Sequence, residues 1–259
     1  MAEEYERGRL LSRPARALAE RAPVGLHVPG TEAGPAEVYL YVPAGYRMEI
    51  PSPLVLLLHG AGEDARDGLA QLRGQADEAG LVLLAPGSRG PTWDLILNRG
   101  RYGPDIETID RALSYAFSRC VVDPARVGVG GYSDGASYAL ALGLANGDLF
   151  SHVLAFSPGF LAPTGQTGAP RIFVSHGTRD RWLPIDSCSR RIVPRLRCTL
   201  PRVRRRPRGA ACNSPRSSKL VRRPRLKTRR PVFLVRPSPR RERSPSEQCG
   251  PVKLGQAID

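Results

Sequence analysis

The chain has 259 residues and a formal net charge of +15, enough length for one sizeable core. The charge excludes less than it suggests. Residues 1–195 hold 20 Lys and Arg against 21 Asp and Glu, a net of −1, while residues 196–259 hold 19 against 3, a net of +16. The body is near-neutral, so its composition does not describe a nucleic-acid binder.

Five cysteines stand at 120, 188, 198, 212 and 249, without a metal-binding or redox spacing, which reads as free thiols in a reducing compartment. No apolar run approaches the ~20 residues of a membrane span. The first residues are acidic, with no apolar stretch of a signal peptide. The expectation is a cytoplasmic protein with no membrane partner and no metal or other cofactor.

Residues 1–35 read as a polar lead-in with a short helical patch at 15–21. Residues 37–42 alternate and stop at Pro43, as an antiparallel edge strand does. Residues 54–58 are continuously apolar, the pattern of a strand covered on both faces. They end in His59-Gly60-Ala61-Gly62. Residues 64–79 carry Leu69, Leu72 and Ala76 at helical spacing. A second buried strand, 81–85, closes at Pro86 and Gly87. The long loop after it carries Trp93 and Asp94, and a loop of that length is better suited to lining a site than to making a short connection.

Asp105 would cap a helix reaching residue 119, with Ile106, Ile109, Leu113 and Phe117 on one face. A strand from Val127 then meets Gly131-Tyr132-Ser133-Asp134-Gly135, followed by an Ala/Leu-rich helix over 136–145. Strand, tight turn and helix around Gly-x-Ser-x-Gly form the setting of a nucleophile elbow. Residues 152–156 and 171–175 read as further strands. The second ends in His176-Gly177-Thr178-Arg179-Asp180, with a helix over 186–196 beyond it. Strands and helices at this rhythm predict an α/β protein: a mostly parallel sheet flanked by helices in three layers, with functional loops at the carboxyl ends of the strands.

The character changes near residue 197. All three lysines and nine of the 25 prolines fall in the last 64 residues. High charge, many prolines and no periodicity read as disorder. They read equally as an out-of-frame translation of a GC-rich gene. The division expected is therefore a lead-in over 1–35, a core over 36–196 and a basic tail over 197–259.

The three strand-end motifs, in this order, resemble the α/β-hydrolase superfamily over about residues 36–196, and in particular its compact carboxylesterase/phospholipase members and depolymerase-type esterases. The resemblance implies that Ser133 attacks an ester carbonyl. It implies that the backbone amides of Ala61 and Asp134 form the oxyanion hole, and that Asp180 orients a histidine. It gives His59 and His176 loop-shaping roles. Trp93, Phe160 and Trp182 become candidates for lining a substrate pocket.

One feature departs from the family. Its chain order is serine, acid, histidine, reached through one more strand, a histidine-bearing loop and a last helix. The four histidines here are His27, His59, His152 and His176, and none follows Asp180. Three functions stay open. The first is a serine hydrolase acting on small-molecule esters, crippled in this chain by the absent base. The second is a non-catalytic binding protein on the same scaffold. The third is non-specific phosphate binding by the Arg clusters of the tail, which lack the interleaved aromatics of base stacking, so no specific nucleic-acid partner is expected.

Overall fold

A computed structural model describes residues 2–14, 22–34, 36–162, 165–199 and 256–258. The predicted helical patch at 15–21 and most of the basic tail lie outside these residues.

The sheet is built around continuous apolar runs. β3 (Ser52–Leu58) and β4 (Val82–Pro86) run parallel at its centre. On one side of them lies β2 (Val38–Val42), antiparallel to β4, and then β1 (Gly25–His27), antiparallel to β2. On the other side come β5 (Val122–Tyr132), β6 (His152–Phe156) and β7 (Arg171–Ser175), all parallel. β8 (Gln256–Ile258) closes that edge antiparallel to β7. The order is β1-β2-β4-β3-β5-β6-β7-β8.

Two expectations about the strands change. Residues 38–42 are antiparallel as predicted but are not an edge, because the three-residue β1 lies outside them. The last residues of the chain, read with the tail, pair with β7 where the resemblance implies a longer strand and a helix. Ile172 there faces Ile258.

Strands buried on both faces explain the unbroken apolar runs. Along β4, Val82 and Leu84 join the larger core with Leu113, Phe117 and Leu140, while Leu83 and Ala85 join a smaller one with Leu69 and Leu72. The smaller core is covered by α2 (Ala65–Arg73), whose N-cap Asp64 accepts from the amides of Arg66 and Asp67. The helical stretch predicted over 64–79 breaks after Arg73 and resumes as α3 (Ala76–Ala79), stopped by Gly80 at φ 63°. On the larger core sit α5 (Pro104–Arg119) and α6 (Asp134–Ala145). Between β4 and α5 runs the short helix α4 (Asp94–Leu97). Asp105 is not the cap of α5. Gly103 holds that position, Pro104 opens the helix, and the Asp105 carboxylate is used elsewhere. After β7, α7 (Ser189–Thr199) carries Pro194 inside it and buries Ile192 and Leu196.

The lead-in is anchored to the core. Its first helix, α1 (Ala2–Glu6), places Tyr5 to donate to Asp110 Oδ2 at 3.0 Å. The Leu11 and Ser12 amides reach Asp110 Oδ1, both at 2.9 Å. Arg9 grips Asp148 with both guanidinium nitrogens, at 2.8 and 2.9 Å. Leu10 is fully buried, and Asn146 accepts from its amide and donates to the Gly8 carbonyl. No helix among the described residues is long and apolar enough to cross a membrane.

Candidate active site

Ser133 lies between the last residue of β5 and the first of α6, at φ 54° and ψ −116°. A non-glycine residue held there stores strain, roughly 1–3 kcal/mol, which the surrounding structure must over-determine. Three contacts do so. The Ser133 amide donates to the Phe156 carbonyl of β6 at 2.9 Å. A Cβ on Gly131 would lie 2.9 Å from the Ala136 nitrogen, so the turn closes only on glycine. A Cβ on Gly135 would lie 2.6 Å from the Leu58 carbonyl carbon, so the helix start presses directly on the end of β3. The two glycines flanking the serine are thus fixed by close backbone approach.

That pressing brings the His-Gly loop beside the elbow. His59 is buried, and both its ring nitrogens are engaged. The Ser88 amide donates to Nε2 at 3.0 Å, which leaves the proton on Nδ1, 2.7 Å from the Gly60 carbonyl. Glu63 accepts from the Gly60 amide at 2.8 Å, and the Gly62 amide donates to the Pro91 carbonyl at 2.8 Å. Ala61, at the exposed crest of this loop, has no acceptor for its amide among the described residues. The Asp134 amide is the first of α6 and has no intrahelical partner. Its carboxylate accepts from the Thr92 hydroxyl at 2.8 Å.

β7 ends at the same edge of the sheet as β5, two strands or about 10 Å across. Asp180 lies in the turn beyond it, its side chain 5% exposed. Oδ1 accepts from the amides of Trp182 (3.0 Å) and Leu183 (2.9 Å). Oδ2 lies 3.6 Å from His176 Nε2. That nitrogen sits 2.6 Å from the Leu183 carbonyl and so carries the proton, while Nδ1 accepts from the Ser189 hydroxyl at 2.6 Å. Asp180 is held rigidly, and the one imidazole beside it already serves the turn.

His152 opens β6, so four residues of strand, about 13 Å, separate it from the elbow level. Burial and the nearby Arg171 push its pKa down. His27 lies on β1, at the far side of the sheet. Among the described residues, no side chain is hydrogen-bonded to Ser133 Oγ.

Of the residues proposed to line a pocket, Trp93 is corrected. It is fully buried, its indole N–H donates to the His59 carbonyl at 2.9 Å, and its ring lies 4.7 Å from that of His59 and 5.3 Å from Tyr138. It is a wall beneath the His-Gly loop and has no surface to offer a ligand. Phe160 is half-buried in the loop after β6. Trp182, 77% exposed, stands in the Asp180 turn.

Three features carry no sequence signal strong enough to find them. Ser137, one turn into α6, accepts from the Gly159 and Phe160 amides at 3.0 and 3.3 Å and so fixes the loop beside Ser133. Ser157, at the end of β6, also has positive φ, 52°. Thr92 is a lone threonine in a Gly/Pro-rich loop. Asp94 and Asp105 clasp each other's backbone: the Asp94 amide donates to Asp105 Oδ2 at 2.8 Å and the Asp105 amide to Asp94 Oδ2 at 2.7 Å. Burial, reinforced by the Asp105 charge, pushes the Asp94 carboxyl up to about 6 against the backbone amides that lower it. A cleft of about 420 Å³ between Glu37, His59, Glu63 and Arg89 lies beside the loop. No group of three or more metal-ligating side chains occurs among the described residues.

No family model and no curated protein matches the chain. Solved structures do. A thermostable esterase is 21% identical at a TM-score of 0.50, over 66% of this chain and 50% of that one. Esterase PE8 is 24% identical at a TM-score of 0.49, over 67% of this chain and 84% of that one. The S-formylglutathione hydrolase of Staphylococcus aureus is 16% identical at a TM-score of 0.40, over 54% and 63%. The match thus spans half the length of the thermostable esterase, and what it carries across at this identity is the fold.

Proposed function

We propose that this chain, which adopts the α/β-hydrolase fold, is built for carboxylic ester hydrolysis of the carboxylesterase/phospholipase type, with Ser133 as nucleophile. The observation that carries the reading is the strained elbow: a serine at φ 54° between a parallel strand and a helix N-terminus, flanked by glycines that backbone crowds too closely for a Cβ to fit without a shift. In the reaction, Ser133 Oγ bonds to the ester carbonyl carbon and the carbonyl oxygen becomes an oxyanion between the Ala61 and Asp134 amides. The bond to the alkoxy group then breaks, the alcohol leaves with the serine proton, and water releases the acid from the acyl-enzyme. A small-molecule ester is the fitting substrate. Phe160 and the exposed Trp182 are this reading's candidates for contact with its apolar parts.

The base is what this sequence lacks. Asp180 is the acid of this reading, but no imidazole follows it in residues 181–259, and the four histidines of the chain are engaged or distant. Loss of one member of such a triad typically costs orders of magnitude in rate, leaving what binding and the oxyanion hole supply. The same observation favours a second reading, a protein that binds ester-like ligands without turning them over. A fluorophosphonate probe and a p-nitrophenyl ester decide between them. Slow labelling at Ser133 with measurable turnover, both abolished in Ser133→Ala, supports the first. Ligand binding with no labelling supports the second. Labelling that persists in Ser133→Ala refutes the assignment of the nucleophile.

A further inference from the structure

The two amides assigned to the oxyanion hole come from separate elements, the loop after β3 and the first turn of α6. Something must set their spacing. Gly135 packed against Leu58 brings the elements together but does not orient the loop crest. The segment 91–94 touches both. The Pro91 carbonyl accepts from the Gly62 amide at 2.8 Å, next to Ala61. The adjacent residue, Thr92, donates its hydroxyl to Asp134 Oδ2 at 2.8 Å. Trp93 then donates to the His59 carbonyl, and its ring packs between His59 and Tyr138. Asp94 ends the segment in the reciprocal clasp with Asp105, whose other oxygen accepts from the Arg89 amide at 2.8 Å. Thr92, Trp93, Asp94 and Asp105 are all buried.

We infer that residues 91–94 are a strap that fixes the distance between the Ala61 and Asp134 amides, with Thr92 and Trp93 as positioning residues for the oxyanion hole. Consecutive residues reach the two halves, so neither half can shift without pulling the other. Trp93 seals the strap against the core. The Asp94–Asp105 clasp ties its far end to the start of α5. The inference rests on the ester-hydrolase reading only for its consequence in rate. The bridge itself is a matter of hydrogen bonds.

The test uses the full chain. Thr92→Val keeps the shape and removes the donor, and Thr92→Ser keeps the donor. Amide hydrogen exchange and 15N–1H shifts are followed at Ala61, Gly62 and Asp134, together with the rate of fluorophosphonate labelling at Ser133. In Thr92→Val the Gly62 amide should exchange about tenfold faster, the Ala61 and Asp134 signals should both move, and labelling should slow about tenfold. Thr92→Ser should restore all three. If the valine variant does not fold, Thr92→Ala removes the same donor and is held to the same outcomes. Unchanged exchange and shifts at Gly62 and Ala61 overturn the strap. Shifts that move while labelling holds its wild-type rate overturn the positioning role. If the wild-type chain is not labelled at all, the ester-hydrolase reading fails, and the amide measurements alone decide whether the strap couples the two loops.

Discussion

Gly135→Ala is the sharpest mechanical test of the elbow. The added Cβ would lie 2.6 Å from the Leu58 carbonyl carbon, where carbon atoms ordinarily stay about 3.5–4.0 Å apart. The helix start or the strand end must therefore retreat by roughly 1 Å. The strand cannot easily give way, because Leu56, Leu57 and Leu58 are fully buried at the centre of the sheet. Overpacking against side chains costs about 1–3 kcal/mol, and an obstacle made of backbone places this case at the upper end, about 3 kcal/mol. For a domain of this size that lowers Tm by about 6–12 °C. A shift of 1 Å in the serine and the first amide of α6 would also cut the fluorophosphonate labelling rate by about 100-fold. Gly74→Ala is the control. Its Cβ meets nothing within 4 Å and its φ of −68° suits any residue, so Tm should hold or rise slightly. Thermal unfolding by circular dichroism and probe labelling measure both effects. A Gly135→Ala protein melting within about 2 °C of wild type, with labelling intact, would refute the close approach of helix and strand.

Two further predictions concern buried and clamped carboxylates. Asp94 titrates at about 6 when folded, against a reference value of 3.8, so its contribution to stability is fully present below about pH 3.8 and is lost as pH rises through 6. Above that pH the buried charge costs roughly 2 kcal/mol. Asp94→Asn should therefore raise Tm by several degrees at pH 7.5 and leave it unchanged near pH 4, and an equal difference at both values would contradict the burial argument. Asp148 has the opposite sign: the Arg9 guanidinium, seconded by Arg13, holds its carboxyl far below the ordinary range, so its stability is present above about pH 4 and lost as pH falls further. Because the pair is half-exposed, Asp148→Asn should cost only about 1 kcal/mol. It should still speed tryptic cleavage after Arg9, and an unchanged digestion rate there would mean that the clamp does not hold the lead-in.

What was legible in the sequence follows from which residues act through pattern and which through position. β3 and β4 are buried on both faces, so burial wrote itself as continuous apolar runs, while β6 and β7 show as shorter apolar stretches that mix buried with partly buried positions. The elbow was legible because Gly131 and Gly135 are demanded by backbone contact, which leaves a fixed spacing. β1 was not, because Gly-Leu-His carries no alternation and is recruited only by pairing with β2. Leu10 stands with Leu11 in a charged segment, and its place in the core depends on distant partners such as Asn146, 136 residues away. Trp93 illustrates the limit most clearly. An aromatic in a Gly/Pro-rich loop suggests pocket lining, yet whether the ring faces ligand or core depends on His59 and Tyr138 closing over it. The sequence position of Asp105 suggests a cap, because an aspartate before a helix usually is one. Its carboxylate instead serves Arg89 and Asp94, residues that sequence order places before it.

Under the proposed reading, the assigned groups divide along the sheet. Every group assigned to hold the oxyanion, with the strap that spaces them, derives from β3, from the loop after β4 and from the junction of β5 and α6, all at the centre. Every group concerned with the serine proton lies at or beyond β7. There, Asp180 is fixed by two amides and His176 by Ser189 and Leu183, and the next strand in the sheet is a three-residue antiparallel β8. An antiparallel strand points its carboxyl end away from the edge where Ser133 stands. A parallel strand in that place would deliver its following loop to Asp180. Under the proposed reading, a base delivered by the loop after a strand needs a parallel strand beside β7, and the antiparallel β8 instead turns its amino end, Gln256, toward that edge.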